Sequence, residues 1–247
     1  MNKILISSRA FKKNYKNSND RIKQVLTYNP EGVQISFLNV KELLDYKPTK
    51  EVIDLLKNKY NVFHAPTKNI IYKDEEKSNK VLKKIKELYN KLNCKIVVFH
   101  YNNFKDPSYV ADKLLGLNLC IENLDLRRAE ENYIEKMKMF FENYPNFSLC
   151  LDVCHVLEHS KKDLFELIRL FKNKIKLTHW SYTFGELKHY SAKATIELAK
   201  SKKVEKELNE LKETIKDLNQ PIVLEINRRH VFNNFGLISK EMEYLKE

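Results

Sequence analysis

The chain has 247 residues, 43% of them hydrophobic, and a formal net charge of +12, which fits either an acidic partner such as nucleic acid or a solvated, lysine-rich surface. No apolar run nears the roughly 20 residues that span a bilayer, and Met1 to Phe11 carry no apolar leader, so a soluble, cytoplasmic protein is expected. Four glycines in all leave no GxGxxG and no P-loop, which excludes a dinucleotide or Walker-type phosphate cradle.

Taken in order, short runs of Val, Ile, Leu and Phe predict strands at Lys3–Ser7, Gly32–Leu38, Asn61–His64, Lys95–His100, Leu117–Glu122, Phe147–Asp152, Ile175–His179 and Pro221–Glu225. Helices follow them. Glu75–Leu92 carries Val81, Leu82, Ile85, Leu88 and Leu92 on one face, and Arg127–Tyr144 carries Tyr133, Met137, Phe140 and Tyr144. Lys162–Lys172 shows Leu164, Leu167, Ile168 and Phe171, and the run before Gln220 shows Val204, Leu208, Leu211, Ile215 and Leu218. Eight strands alternating with helices predict a single (β/α)₈ barrel domain over 1–247, with an open doubly wound sheet as the alternative. Cys94, Cys120, Cys150 and Cys154 form no CxxC pair and read as reduced core thiols.

The informative residues are polar ones that close apolar strands: His64, His100, Glu122, Asp152, His179 and Glu225. Residues two apart in a strand share a face. Each of these follows a small or apolar residue on its own face, so all six are expected to converge at the C-terminal mouth of a barrel, where barrel enzymes place their chemistry. Three carboxylates brought together repel unless a cation neutralises them. Imidazole and carboxylate ligands without thiolate suit zinc, with manganese as the alternative, better than calcium.

The ordered signatures His64-Ala65-Pro66, Phe99-His100, Glu122-Asn123, Leu151 to His155, His179 and Leu224-Glu225 resemble those of the xylose-isomerase-like barrels. Within that superfamily they are most similar to endonuclease IV, and more distantly to sugar-phosphate isomerases and epimerases. The resemblance implies two metal ions. His64, His100 and Glu122 would hold one; Glu122, Asp152, His179 and Glu225 would hold the other. Glu122, Glu225 and His155 would take the catalytic roles. His155 and His189 would form part of a third metal site or contact phosphate, although Leu187 stands where an aspartate is expected. Tyr101-Asn102 replaces the usual Pro-Gly.

Arg9, Arg127, Arg128, Arg228 and Arg229 follow strands one, five and eight, where their planar forks suit phosphate. Tyr101, Trp180, Tyr182 and Phe184 follow strands four and seven, placed either to stack on a base or sugar or to pack beneath a loop. Three functions remain open. The first is an endonuclease-IV-like phosphodiester hydrolase on abasic or damaged DNA. The second is a sugar or sugar-phosphate isomerase or epimerase using Glu122, Glu225 and one metal. The third is a nonenzymatic nucleic-acid or metabolite binder. The expected partner is a phosphate-bearing substrate, DNA or sugar phosphate, and the sequence leaves the oligomeric state open.

Overall fold

A computed structural model describes residues 2–123, 133–158, 160–183, 189–227, 229, 234 and 236–247. Its eight strands are β1 (Ile4–Ser7), β2 (Gly32–Ser36), β3 (Asn61–His64), β4 (Cys94–His100), β5 (Leu119–Glu122), β6 (Phe147–Asp152), β7 (Ile175–Trp180) and β8 (Ile222–Leu224). Each pairs in parallel with the next, and β8 returns to β1, so the sheet is closed. A parallel strand covered on both faces needs apolar side chains on both, which is why these segments read as continuous apolar runs.

The helices among the described residues are α1 (Ser18–Leu26), α2 (Val40–Asp45), α3 (Lys50–Leu56), α4 (Glu76–Lys91), α5 (Pro107–Lys113), α6 (Tyr133–Asn143), α7 (Val153–Leu157), α8 (Lys161–Phe171), α9 (Ala192–Ala199), α10 (Lys202–Lys216) and α11 (Gly236–Lys246). Side-chain caps define several of their starts: Asn17, Asn39, Thr49, Asp106, Ser160 and Ser191 each accept an otherwise unpaired backbone N–H. Strand and helix limits differ from the sequence reading by a few residues. β2 stops at Ser36 because the Leu38 N–H turns to the Glu42 carboxylate, 3.1 Å away. The first residues of the expected Arg127–Tyr144 helix lie outside the described residues. No helix described is long and apolar enough to cross a membrane.

The strand alternation splits the buried residues in two. Ile6, Val33, Ile35, Phe63, Val97, Phe99, Ile121 and Leu149 face outward and pack beneath the helices. Leu5, Val62, Ile96, Val98, Cys120, Cys150, Leu177 and Val223 fill the barrel interior. β2 contributes Gly32 opposite Leu5, and a Cβ there would lie 1.7 Å from the Tyr60 carbonyl oxygen, so only glycine lets that chain approach. All four cysteines are free and buried, as read from the sequence.

Candidate metal centre at the barrel mouth

One pleat above the apolar interior, the side chains turn polar. His64 sits above Val62, His100 above Val98, Glu122 above Cys120, Asp152 above Cys150 and His179 above Leu177. The ladder sets His100 beside Glu122 and Asp152 beside His179. Glu225 falls one residue past β8, yet its N–H still joins the ladder by bonding the Trp180 carbonyl at 3.1 Å. The strand-end residues expected at one mouth are thus brought to one mouth.

Glu122 lies at the centre of the group. Its Oε2 is 3.0 Å from His64 Nε2, 3.3 Å from His100 Nε2 and 3.5 Å from His179 Nδ1. His179 Nδ1 is also 3.6 Å from Asp152 Oδ2 and 3.6 Å from Glu225 Oε2. Among the described residues, three sets of donor atoms lie close enough to hold a cation: His64–His100–Glu122, Glu122–Asp152–His179 and Asp152–His155–His189. Glu225 flanks the second set through His179 without completing a trio of its own.

Neighbouring groups fix which atom each ligand presents. His64 Nδ1 donates to the Ala65 carbonyl at 3.0 Å, which leaves Nε2 for Glu122. Gln34, fully buried on β2, accepts from His179 Nε2 at 2.8 Å through its carbonyl oxygen and donates its amide to Glu225 Oε1. Imidazole Nδ1 of His179 and Oε2 of Glu225 are therefore the atoms left facing the shared space. Asp152 divides its oxygens. Oδ1 caps α7 by accepting the His155 N–H at 2.9 Å, and Oδ2 stays free. Asn123 donates its amide to the Asp152 carbonyl and accepts the Asp152 N–H, at 3.0 and 2.6 Å, so a side chain continues the ladder where the strand ends.

The electrostatics match a cation site. Burial alone would push the Glu122 carboxyl up, but the fields of His100 and His179 and the bonds from His100 and His64 hold it well below the ordinary value. Asp152 is likewise buried, yet His155 and His179 pull it down to about 2. Burial drives His100 and His189 below the ordinary imidazole value. For His155 and His179 the surrounding anionic groups outweigh burial and raise it. Asp152 Oδ2 and His179 Nδ1 are buried and have no hydrogen-bond partner, although they lie 3.6 Å apart. Such pairs are costly unless something else satisfies both. A divalent ion would do so, and the imidazole–carboxylate donor set is one that zinc or manganese accepts.

His189 reaches the mouth through a turn-back of the chain. Tyr182 and Tyr190 exchange backbone hydrogen bonds of 2.8 and 2.7 Å, and His189 adopts a left-handed φ of 43°. Its Nδ1 lies 2.8 Å from Ser181 Oγ, and its carbonyl accepts the Asn227 N–H at 2.9 Å. An L-residue held in that region is strained, and such strain concentrates at functional sites. Glu241 on α11 stabilises the same stretch. It accepts from Trp180 Nε1 at 2.6 Å, from Ser191 Oγ, and from the Ala192 and Lys193 N–H groups at 3.1 and 3.0 Å.

Among the arginines, Arg9 and Arg229 line a cavity beside Glu225 and His189, while Arg127, Arg128 and Arg228 lie outside the described residues. Of the aromatics, Trp180 is buried and bonded to Glu241, which rules it out as a stacking platform. Tyr101 packs its ring on Phe140, 5.4 Å between centroids. Tyr182 packs against the core, and Phe184 lies outside the described residues, as does Leu187. Sequence reasoning missed Gln34, Asn123 as a backbone bridge, and Lys68. Gln34 carried one usable signal, a polar residue in the middle of an apolar strand.

Neither a protein-family model nor a curated protein matches the sequence. Solved structures do match in fold. Endonuclease IV from Thermus thermophilus superposes with a TM-score of 0.63 at 14% identity, over 98% of this chain and 99% of that one. The probable 3-DHS dehydratase AsbF from Bacillus anthracis gives 0.65 at 13%, over 99% of each chain. An L-ribulose 3-epimerase gives 0.62 at 14%, over 100% of this chain and 94% of that one. The chain shares with these proteins the closed, all-parallel eight-stranded barrel fold. Endonuclease, dehydratase and epimerase thus share this barrel frame, and the fold by itself does not choose among them.

Proposed function

We propose that the protein is a divalent-metal-dependent phosphodiester hydrolase, similar in its site to endonuclease IV and acting on abasic or damaged DNA. One observation carries this reading. His64 and His100 both direct Nε2 at Glu122 Oε2, which gives a donor set in addition to the one around Asp152 and His179. A sugar epimerase of the kind the sequence resembles needs only the latter. Metal ions in the two sets would supply Lewis-acid polarisation and charge neutralisation at a phosphoryl oxygen. The chain's own groups do the rest. Glu122 ties the two sets together. Gln34 fixes Oε1 of Glu225, which leaves Oε2 to accept a proton from attacking water. His155 and His189, with ring centroids 5.5 Å apart, orient the phosphate oxygens.

A second reading, a sugar-phosphate isomerase or epimerase, has its own support. Glu122 Oε2 and Glu225 Oε2 lie 3.5 and 3.6 Å from the same His179 nitrogen, so two carboxylates face one space, as proton exchange about a carbon requires. A nonenzymatic binder fits poorly with so complete a set of donors.

An abasic-duplex nicking assay separates these readings. Nicking is expected with metal, abolished by a chelator and reduced at least about a hundredfold in Glu225→Gln. His64→Ala is expected to lose one of two bound metals. Absence of nicking at saturating metal removes the hydrolase. A single metal retained in His64→Ala favours the isomerase.

A further inference from the structure

Three cations from distant parts of the chain meet beside the metal centre. Arg9 follows β1, Lys68 follows β3 and Arg229 follows β8, and all three are exposed and line one cavity of about 250 Å³. The same cavity is lined by Glu225 and His189, so it adjoins the donor sets. Among the described residues none of the three cations forms an ion pair, whereas Lys12, Arg21, Lys23 and Lys73 each have a carboxylate partner. Arginine is scarce here. Of the four arginines in the described residues, two stand at this cavity, and the others are Arg21, buried against Glu42, and Arg169 on α8. Arg9 and Lys68 are 59 positions apart and Arg229 a further 161, so no local charge run explains the cluster. Gathered at a concave site and none of them ion-paired, the three cations outnumber the one carboxylate that lines the cavity, Glu225, so the local field is net positive.

We propose that this cavity is a subsite for a phosphate of the substrate other than the group that reacts. Arg9 and Arg229 supply two-oxygen forks and Lys68 a point charge. Phosphate fits better than a carboxylate. A phosphate monoester carries close to two negative charges and three strong acceptor oxygens, enough for three cations. The proposal deepens the reading above and rests on it for the reacting centre, not for the anion. A small sugar phosphate and a DNA backbone phosphate next to a lesion both present anionic phosphoryl oxygens, three on the monoester and two on the singly charged diester.

Calorimetric binding of inorganic phosphate to the metal-loaded protein tests it. Arg9→Ala, Lys68→Ala and Arg229→Ala are each expected to weaken binding about tenfold without changing metal content. Arg9→Lys should weaken it less, because charge is kept and the fork lost. Lys86→Ala, exposed on α4, removes the same charge elsewhere and should leave binding unaltered. Equal losses in Lys86→Ala, or none in the three, overturn the subsite. Competition then assigns the source. Displacement by a pentose 5-phosphate, sensitive to Arg9→Ala, identifies a small ester; displacement by an abasic duplex identifies the backbone; failure of both overturns a role in substrate binding. Variant-sensitive phosphate binding without nicking keeps the subsite and removes the hydrolase. Nicking with variant-insensitive phosphate binding does the reverse.

Discussion

At the scale of single residues, the site depends on side chains that hold a candidate ligand by one atom and so decide which other atom it presents. Gln34 is the clearest case. Its carbonyl occupies His179 Nε2 and its amide occupies Glu225 Oε1, so one buried amide orients two candidate ligands on β7 and beyond β8. Replacing it by leucine keeps the volume and removes both bonds. Gln34→Leu is expected to weaken metal binding about 10- to 100-fold, read by competitive chelator titration. An unchanged affinity would show that His179 and Glu225 are held by packing alone. The strand-end ligands were legible because a charged group closing an apolar strand is conspicuous. Lys68 was not, because one lysine among 45 basic residues carries no signal until the fold places it beside Arg9 and Arg229.

At the scale of elements, the N-terminal third offered no motif beyond Arg9, yet it is tied down by a part-buried ion-pair network. Arg21 on α1 and Lys12 both meet the Glu42 carboxylate on α2, with Lys12 Nζ at 2.6 Å, and Arg21 is 1% exposed. Burial alone would push the Glu42 carboxyl up; the two cations and the Leu38 N–H instead hold it below the ordinary glutamate value. A carboxyl depressed on folding contributes stability above its unfolded value and loses it as pH falls through its folded one. Glu42→Gln should therefore cost about 3 kcal/mol at pH 7, since it strands a buried guanidinium. The gap from wild type should close below the ordinary glutamate range. Urea denaturation at neutral and acid pH checks this, and a gap independent of pH would mean that the pair is not ionised. Helix existence followed from periodicity in α4, α8 and α10. Short elements such as α2, α5 and α7 escaped it, because a helix of two turns or fewer shows too little of the 3.6 period and is defined by its cap instead.

At the scale of the whole molecule, closing the barrel brings together Glu122 at the end of β5, Asp152 at the end of β6 and Glu225 just past β8. Their mutual repulsion opposes folding, and a cation that binds only the folded chain offsets it. Zinc or manganese at about 100 times its dissociation constant should add about 2.7 kcal/mol, or about 5–10 °C in Tm for a chain of this length. Thermal scans with metal and with chelator measure it. A Tm indifferent to both would remove the metal centre.

By itself the sequence determined the number of strands, their alternation with helices, and which polar residues end them, because a strand's burial and its two-residue period are written locally; that the sheet closes instead of staying open was decided by the tertiary structure. Only the tertiary structure decided how those residues pair: that Glu122 Oε2 is shared by three imidazoles, that Gln34 orients His179 and Glu225, and that Arg9, Lys68 and Arg229 surround one cavity. These are relations between residues tens to hundreds of positions apart. Strand register and barrel closure create them, and no local pattern encodes that geometry.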